Sequence, residues 1–461
     1  MGQILSQPVT EKESESNQNK NLAYGLSSMQ GWRISMEDAH STILNLHNYS
    51  NDENKTDDDN DDKTSTTTTK DKNSSIDPVA FFGVYDGHGG DRIAKYTGEN
   101  LYKLIPKEPE FIKGNYGKAL QNVFLSTDRQ ILQDDELKTD QSGCTATTVL
   151  IDSEKVVCAN SGDSRTVLSV NGFAKPLSYD HKPNNEGEHA RICAAGGFVD
   201  IGRVNGNLAL SRAIGDFEFK KSFDLPPEEQ IVTAFPDIIE HNLTKDDEFV
   251  VLACDGIWDC LSSQQVVEVV RKGIHLRKSL VEISEALIDI CLAPSSGGSG
   301  IGCDNMSIVI VALLQGQTLE EWYESIISKG GPISEDFETV ANEIYSEEER
   351  SQAIQQSTHE ENVVGTDELK SSFSIQQLLE NNLLTSQNGV LYLDSSNILS
   401  SLGVDKSQIG EGEGEGEDSE EGVETNEDGS KSGPVTELKD DEDDEEQSSK
   451  PTSSGSSGSN E

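Results

Sequence analysis

The stretch VAFFGVYDGHGG, residues 79–90, decides how the chain folds. Val79 to Tyr85 is a continuous apolar run and reads as a buried strand. Asp86-Gly87-His88-Gly89-Gly90 ends it, so a carboxylate and an imidazole follow directly on that strand. Taken singly, Asp-Gly after a strand is an ordinary turn. The pattern recurs, though. FVVLAC (249–254) runs into Asp255-Gly256-Ile257-Trp258-Asp259, and Gly302-Cys303-Asp304-Asn305 leads into the apolar run Met306 to Leu313. Asn160-Ser161-Gly162-Asp163-Ser164-Arg165 lies between two Val- and Thr-rich runs, and Glu37-Asp38 stands nearer the start. Hard divalent cations take carboxylate, carbonyl and water oxygens held on rigid elements. A glycine beside a ligand lets its backbone carbonyl approach an ion, and two ions ~3.5–4 Å apart can clamp the oxygens of an in-line displacement. The spacing permits such a site and leaves the turn reading open.

Working outward, Leu22 to Trp32 suits strands and turns. Thr145–Ile151, Val156–Ala159, Arg165–Val170, Glu248–Cys254 and Met306–Leu313 read as strands. Ile93–Leu104, Lys118–Leu132, Gln264–His275 and Leu280–Cys291 carry apolar residues at helical spacing. Many short strands with helices in pairs predict an α+β layered domain rather than a βαβ alternation. The domain is expected at 22–315, after a loose polar arm at 1–21. Leu319–Ile327 and Phe337–Tyr345 predict a helical extension over 316–345 outside the domain, so that truncation near Gly316 leaves the domain intact.

The 461 residues carry a formal charge of −48, and only 33% are hydrophobic. Residues 346–461 hold 29 Asp+Glu against 6 Lys+Arg. A stretch so acidic and so poor in apolar residues predicts a disordered tail. Within it, Phe373–Leu384 and Val390–Leu402 are expected to form short helices or docking motifs. Residues 50–77, rich in Asp, Asn, Lys and Thr, predict a disordered acidic insertion ahead of Val79. The acidic balance opposes nucleic-acid binding, which needs Lys and Arg at the phosphates. The seven cysteines are odd in number with no CxxC pair, which fits free thiols in a reducing compartment rather than disulfides or zinc. No apolar stretch reaches a membrane span, and no secretory signal is read, so a soluble protein of cytoplasm and nucleus is expected. Met1-Gly2-Gln3-Ile4-Leu5-Ser6 fits the pattern for myristoylation of Gly2. One such chain gives only weak, reversible membrane contact.

Read in order, RISMED (33–38), FFGVYDGHGG (81–90), SGCTA (142–146), ANSGDSR (159–165), DHKP (180–183), AGG (195–197), RVNGNLALSRAIGD (203–216), FVVLACDGIWD (249–259) and CDNMS (303–307) follow one another along the chain. Together they resemble the motif series of the metal-dependent protein phosphatase family, type 2C, from about Leu22 to Leu314. The likeness is greatest to fungal members with an acidic C-terminal extension. It implies two stacked antiparallel β-sheets flanked by pairs of α-helices. It also implies a serine/threonine phosphatase in which a hydroxide bridging two Mn²⁺ or Mg²⁺ ions attacks the phosphate. By that resemblance Asp86 bridges both ions, Gly87 offers its carbonyl, and Asp255 and Asp304 hold the second ion. Glu37 and Asp38 act through bound waters, while Asp163 and Asp259 look like ligands of a weaker third ion. Arg33 clamps the phosphate and His88 protonates the leaving oxygen. Phosphorylated proteins, signalling kinases among them, are the implied partners of a monomer. The competing readings are an inactive phosphoprotein-binding scaffold, which predicts a lost ligand among Asp86, Asp255 and Asp304, and an acidic binder of basic proteins acting through the tail.

Overall fold

The computed structural model describes residues 4–49, 78–296, 300–345, 384–387 and 390–393, in two units divided between Asp367 and Glu368. In the first unit a six-stranded sheet contains β1 (Ile4–Gln18), β2 (Leu22–Arg33), β9 (Arg165–Val170), β10 (Phe173–Pro176), β15 (Asp247–Ala253) and β16 (Met306–Leu313). Their spatial order is β1-β2-β16-β15-β9-β10. A five-stranded sheet contains β3 (Ala39–Ile43), β4 (Ala80–Tyr85), β7 (Ala146–Ile151), β8 (Lys155–Ser161) and β14 (Asp237–Asn242), in the order β14-β8-β7-β4-β3. Every pairing within these two sheets is antiparallel. Three two-residue strands, β5 (Gly87–His88), β6 (Gly143–Cys144) and β13 (Ile214–Gly215), form a small sheet in the order β13-β6-β5. A fourth sheet pairs β11 (Val199–Asp200) with β12 (Arg203–Val204).

The period of two along each strand sorts side chains into layers. On β15, Val250 and Leu252 join Phe82, Val84, Val149 and Val309 in an apolar layer between the two large sheets. Phe249, Val251 and Ala253 point the other way, toward α6 (Ser263–His275) and α7 (Leu280–Cys291). Phe81 and Tyr85 of β4 likewise face α1 (Arg92–Leu104), α2 (Pro109–Ile112) and α3 (Tyr116–Gln133). Ser262 with Gln265, and Ser279 with Glu282, close capping boxes that fix where α6 and α7 begin. Two stacked sheets flanked by helices result, as expected. The other helices of this unit are α4 (Glu186–Ala194), α5 (Asp255–Trp258), α8 (Leu319–Lys329) and α9 (Phe337–Ile344).

Two expectations fail. The arm at 1–21 is not loose: from Ile4 to Gln18 it is β1, the edge of the six-stranded sheet, paired with β2 from Ile4 against Arg33 to Gln18 against Ala23, in unbroken register from Lys12 onward after two shifts between Ile4 and Lys12. Main-chain pairing needs no apolar side chain, and its polar residues find partners. Lys12 Nζ lies 2.6 Å from Asp289 Oδ1, and Ser14 Oγ donates to Glu285 Oε1 at 2.8 Å, both on α7. Charges along an exposed edge also discourage further strand addition.

The extension over 316–345 is not outside the domain. Trp322, Tyr323 and Ile326 of α8 and Val340 of α9 are buried in the same cluster as α6 and α7. Trp322 Nε1 donates to the Glu248 carbonyl at 3.0 Å. The fully buried Arg271 on α6 pairs with Glu248 and donates to the carbonyls of Gly330 and Pro332. The compact domain therefore runs to Tyr345, not to 315.

In the second unit β17 (Leu384–Gln387) pairs antiparallel with β18 (Val390–Leu393), and the rest of Phe373–Leu384 and Val390–Leu402, expected to form short helices or docking motifs, lies outside the described residues. Gly2, the insertion at 50–77 and the rest of 346–461 lie outside the described residues. Among the described residues, no helix is long and apolar enough to cross a membrane.

Candidate metal and catalytic site

Strand ends from both large sheets converge on one acidic cleft. Asp86 follows β4, Asp255 opens α5 immediately after β15, and Asp304 lies two residues ahead of β16. Asp163 sits in the turn between β8 and β9, and Asp259 just past α5. Arg33 ends β2, and Glu37 and Asp38 occupy the loop leading to β3. That loop is stitched by Asn305. Its side-chain oxygen accepts from the Glu37 N–H at 2.9 Å, and its amide donates to the carbonyls of Gln30 and Ser35 at 2.8 and 3.0 Å. Gly87 lets the loop lie against the DGH turn, because a Cβ there would stand 2.2 Å from the Glu37 carbonyl oxygen.

The electrostatics of the cleft are those of an acid cluster short of positive charge. Burial raises Asp86 and Asp255 well above the usual carboxylate range, and each is pushed further by neighbouring aspartates. Burial pushes Asp38 up to about 7 against the opposing bond from Ser307, whose hydroxyl donates to Asp38 Oδ2 at 2.7 Å. Asp304 and Asp259 are raised by burial too, the first against the Arg33 guanidinium and the second against Lys182. Arg33 Nη2 is ion-paired with Asp304 at the half-exposed mouth. The other Asp38 oxygen, Oδ1, is buried and has no partner among the described residues.

These residues fit divalent cations. Asp38, Asp86 and Cys254 place one donor atom each within 4.8 Å of one another. Cys254 is the misfit of the three. Burial raises its thiol well above the ordinary value, and its sulfur accepts from the Ser307 N–H at 3.1 Å. A protonated thiol so held is a packing group, whereas crowded buried carboxylates are what an oxygen-seeking ion would neutralise.

His88, on β5, points its Nε2 at Asp216 Oδ2, 2.7 Å away. Burial lowers the imidazole, but the Asp216 charge and bond outweigh it and the net shift is upward. Asp163 is met by Lys182 of the DHKP segment. That ammonium sets a positive charge beside Asp163.

All the sequence-predicted residues from Arg33 to Asp304 thus come together, and Gly2 stands apart outside the described residues. Asp216, Lys182, Asn305 and Ser307, which lie inside the motif segments, also take part in the site, a part that the sequence alone does not mark. Their partners lie 19 to 269 residues away.

Comparison with known proteins agrees with this geometry. The family described as Protein phosphatase 2C matches residues 22–300. Protein phosphatase 2C homolog 2 of Schizosaccharomyces pombe is 57% identical over 330 residues, covering 71% of this chain and 83% of that protein. Homolog 3 of the same organism is 57% identical over 329 residues, covering 71% and 73%. Among solved structures, a phosphatase from a pathogenic strain of Toxoplasma gondii superimposes with a TM-score of 0.53 at 24% identity, over 67% of this chain and 97% of that one. At that identity the likeness speaks for the fold.

Proposed function

The chain belongs to the protein phosphatase 2C family of serine/threonine protein phosphatases, and from that premise we propose how its residues divide the hydrolysis of phosphoserine and phosphothreonine. The observation that carries the reading is the convergence of buried aspartates whose ionisation their crowding opposes and which bound cations would hold as carboxylates. Asp86 with the Gly87 carbonyl, Asp255 and Asp304 would hold two Mn²⁺ or Mg²⁺ ions. Glu37 and Asp38 would act through waters, and Asp163 and Asp259 would hold a weaker third ion. Bound there, the ions supply charge neutralisation and a water acidified enough to attack phosphorus.

The chain's own groups do the rest. Arg33, at the mouth, exchanges its Asp304 partner for the phosphate oxygens, which its planar fork grips bidentately. His88 gives a proton to the seryl or threonyl oxygen as it leaves. An inactive scaffold would have lost a ligand, and Asp86, Asp255 and Asp304 are all present.

Phosphorylated signalling kinases are the proposed substrates, acted on by a monomer in cytoplasm and nucleus. Myristoylation of Gly2 would add weak membrane contact, and mass spectrometry of the purified N-terminus decides it. For the chemistry, phosphothreonine-peptide hydrolysis should stop in EDTA and return with excess Mn²⁺ or Mg²⁺. His88→Ala should slow that hydrolysis far more than it slows p-nitrophenyl phosphate, whose leaving group needs little protonation. Full activity in EDTA would refute the metal assignment, and equal losses on both substrates would refute the role of His88.

A further inference from the structure

We infer that Asp216 is the positioning residue for His88, and that Gly143 is the gap through which the two side chains meet. The inference rests on the proposed general-acid role of His88. The small sheet β13-β6-β5 sets the arrangement: Gly215 pairs with Gly143, and Gly143 pairs with His88. His88 and Asp216 therefore approach from opposite sides of the middle strand, and the residue between them has no side chain. A Cβ on Gly143 would lie 2.2 Å from Asp216 Oδ2 and 2.8 Å from His88 Nε2, inside the bond the pair makes.

Asp216 is built into place. It is 3% exposed, and its backbone is left-handed, at φ 51°, a conformation aspartate tolerates better than most residues. Its N–H donates to the Ser142 carbonyl at 3.2 Å. The preceding Gly215 N–H donates to Asp128 Oδ1 on α3 at 2.8 Å, so the turn is tied to a helix as well as to a strand.

The 2.7 Å bond fixes the ring. With Nε2–H donated to Asp216, Nδ1 is the nitrogen left to face the leaving group. The proton passes from Nδ1 to the ester oxygen as its bond to phosphorus breaks, and water supplies the new P–O bond. The proton released by that water restores the imidazolium. Without Asp216 the ring is free to turn, and the proton is no longer aimed.

The test uses the full chain with saturating Mn²⁺, a phosphothreonine peptide, and aryl phosphates of graded leaving-group basicity. Asp216→Asn keeps the size and the left-handed backbone. It should lose about tenfold or more in kcat on the peptide, less than about threefold on p-nitrophenyl phosphate, and steepen the leaving-group dependence as His88→Ala does. The double variant should be no slower than His88→Ala alone. Gly143→Ala, which parts the pair without altering either group, should reproduce the pattern and carries the test if Asp216→Asn fails to fold. Losses uniform across the series, or effects that multiply in the double variant, would overturn the inference. A flat series for His88→Ala strikes the general-acid role itself. A steep series for His88→Ala beside flat ones for Asp216→Asn and Gly143→Ala strikes this inference alone.

Discussion

Replacing Trp322 by alanine tests whether α8 belongs to the folding unit. The indole is 2% exposed, and it meets the Tyr323 ring edge-on at 5.3 Å between centroids. Its Nε1–H is spent on the Glu248 carbonyl of β15. Truncating a buried Trp to Ala costs about 3–5 kcal/mol, and the Glu248 carbonyl left without its donor pushes the figure toward the upper end. For a unit of roughly 300 residues the unfolding entropy is about 0.6 kcal/mol/K. The melting temperature should therefore fall by about 5–8 °C in a calorimetric scan. Catalysis at 20 °C should be nearly unchanged, because Trp322 packs in the apolar cluster of α6 and α7 and bonds to the Glu248 carbonyl rather than to an acid of the cleft. A fall under about 2 °C would mean that α8 is a detachable appendage, and the reasoning would be wrong. A chain ended at Gly316 is the harsher version. It uncovers the α6 and α7 face and strips Arg271 of its two carbonyl partners at 330 and 332, so no cooperative unfolding transition should survive.

Asp255→Asn should abolish turnover yet raise the melting temperature in chelator at neutral pH, because it removes a carboxyl whose ionisation burial and the neighbouring aspartates oppose; a lower value would contradict the electrostatic account. For Glu188, burial alone would raise the carboxyl, but the bonds and charges of Arg212 and Arg191 pull it down to about 2. A folded-state value below the ordinary 4.5 means that the stabilisation is complete above that pH and is lost as pH falls toward 2. Glu188→Gln should thus melt lower at neutral pH and show a flatter decline between pH 5 and 2, measured as melting temperature against pH.

What the sequence made legible was whatever burial had written into it. β4, β15 and β16 are buried along their whole length and read as mostly apolar runs, with Asp247, Glu248 and Ser307 the polar exceptions. The acids at their ends stood out against that background. β1 carries no such mark: an edge strand half open to water can be built from Glu, Ser, Lys and Asn, since its backbone does the pairing. The boundary at 315 failed for another reason. Nothing local in Leu319–Ile327 reveals that Trp322 seats on α6 and bonds to Glu248, 74 residues earlier. Asp216 was hidden in the same way, its partner His88 lying 128 residues back across a glycine.

The cleft takes its acids from two stacked sheets, and so it behaves as a pair of jaws. Asp255 and Asp304 ride on the six-stranded jaw and Asp86 on the five-stranded one. What holds the jaws apart, at the ~10 Å typical of stacked sheets, is the oily filling of Phe82, Val84, Val149, Leu252 and Val309. None of these side chains belongs to the acidic cleft, yet their summed volume sets the distance across which an ion must reach. A methylene gained or lost in that layer is therefore a change of gauge, felt across the gap between the two sets of acids without touching any of them.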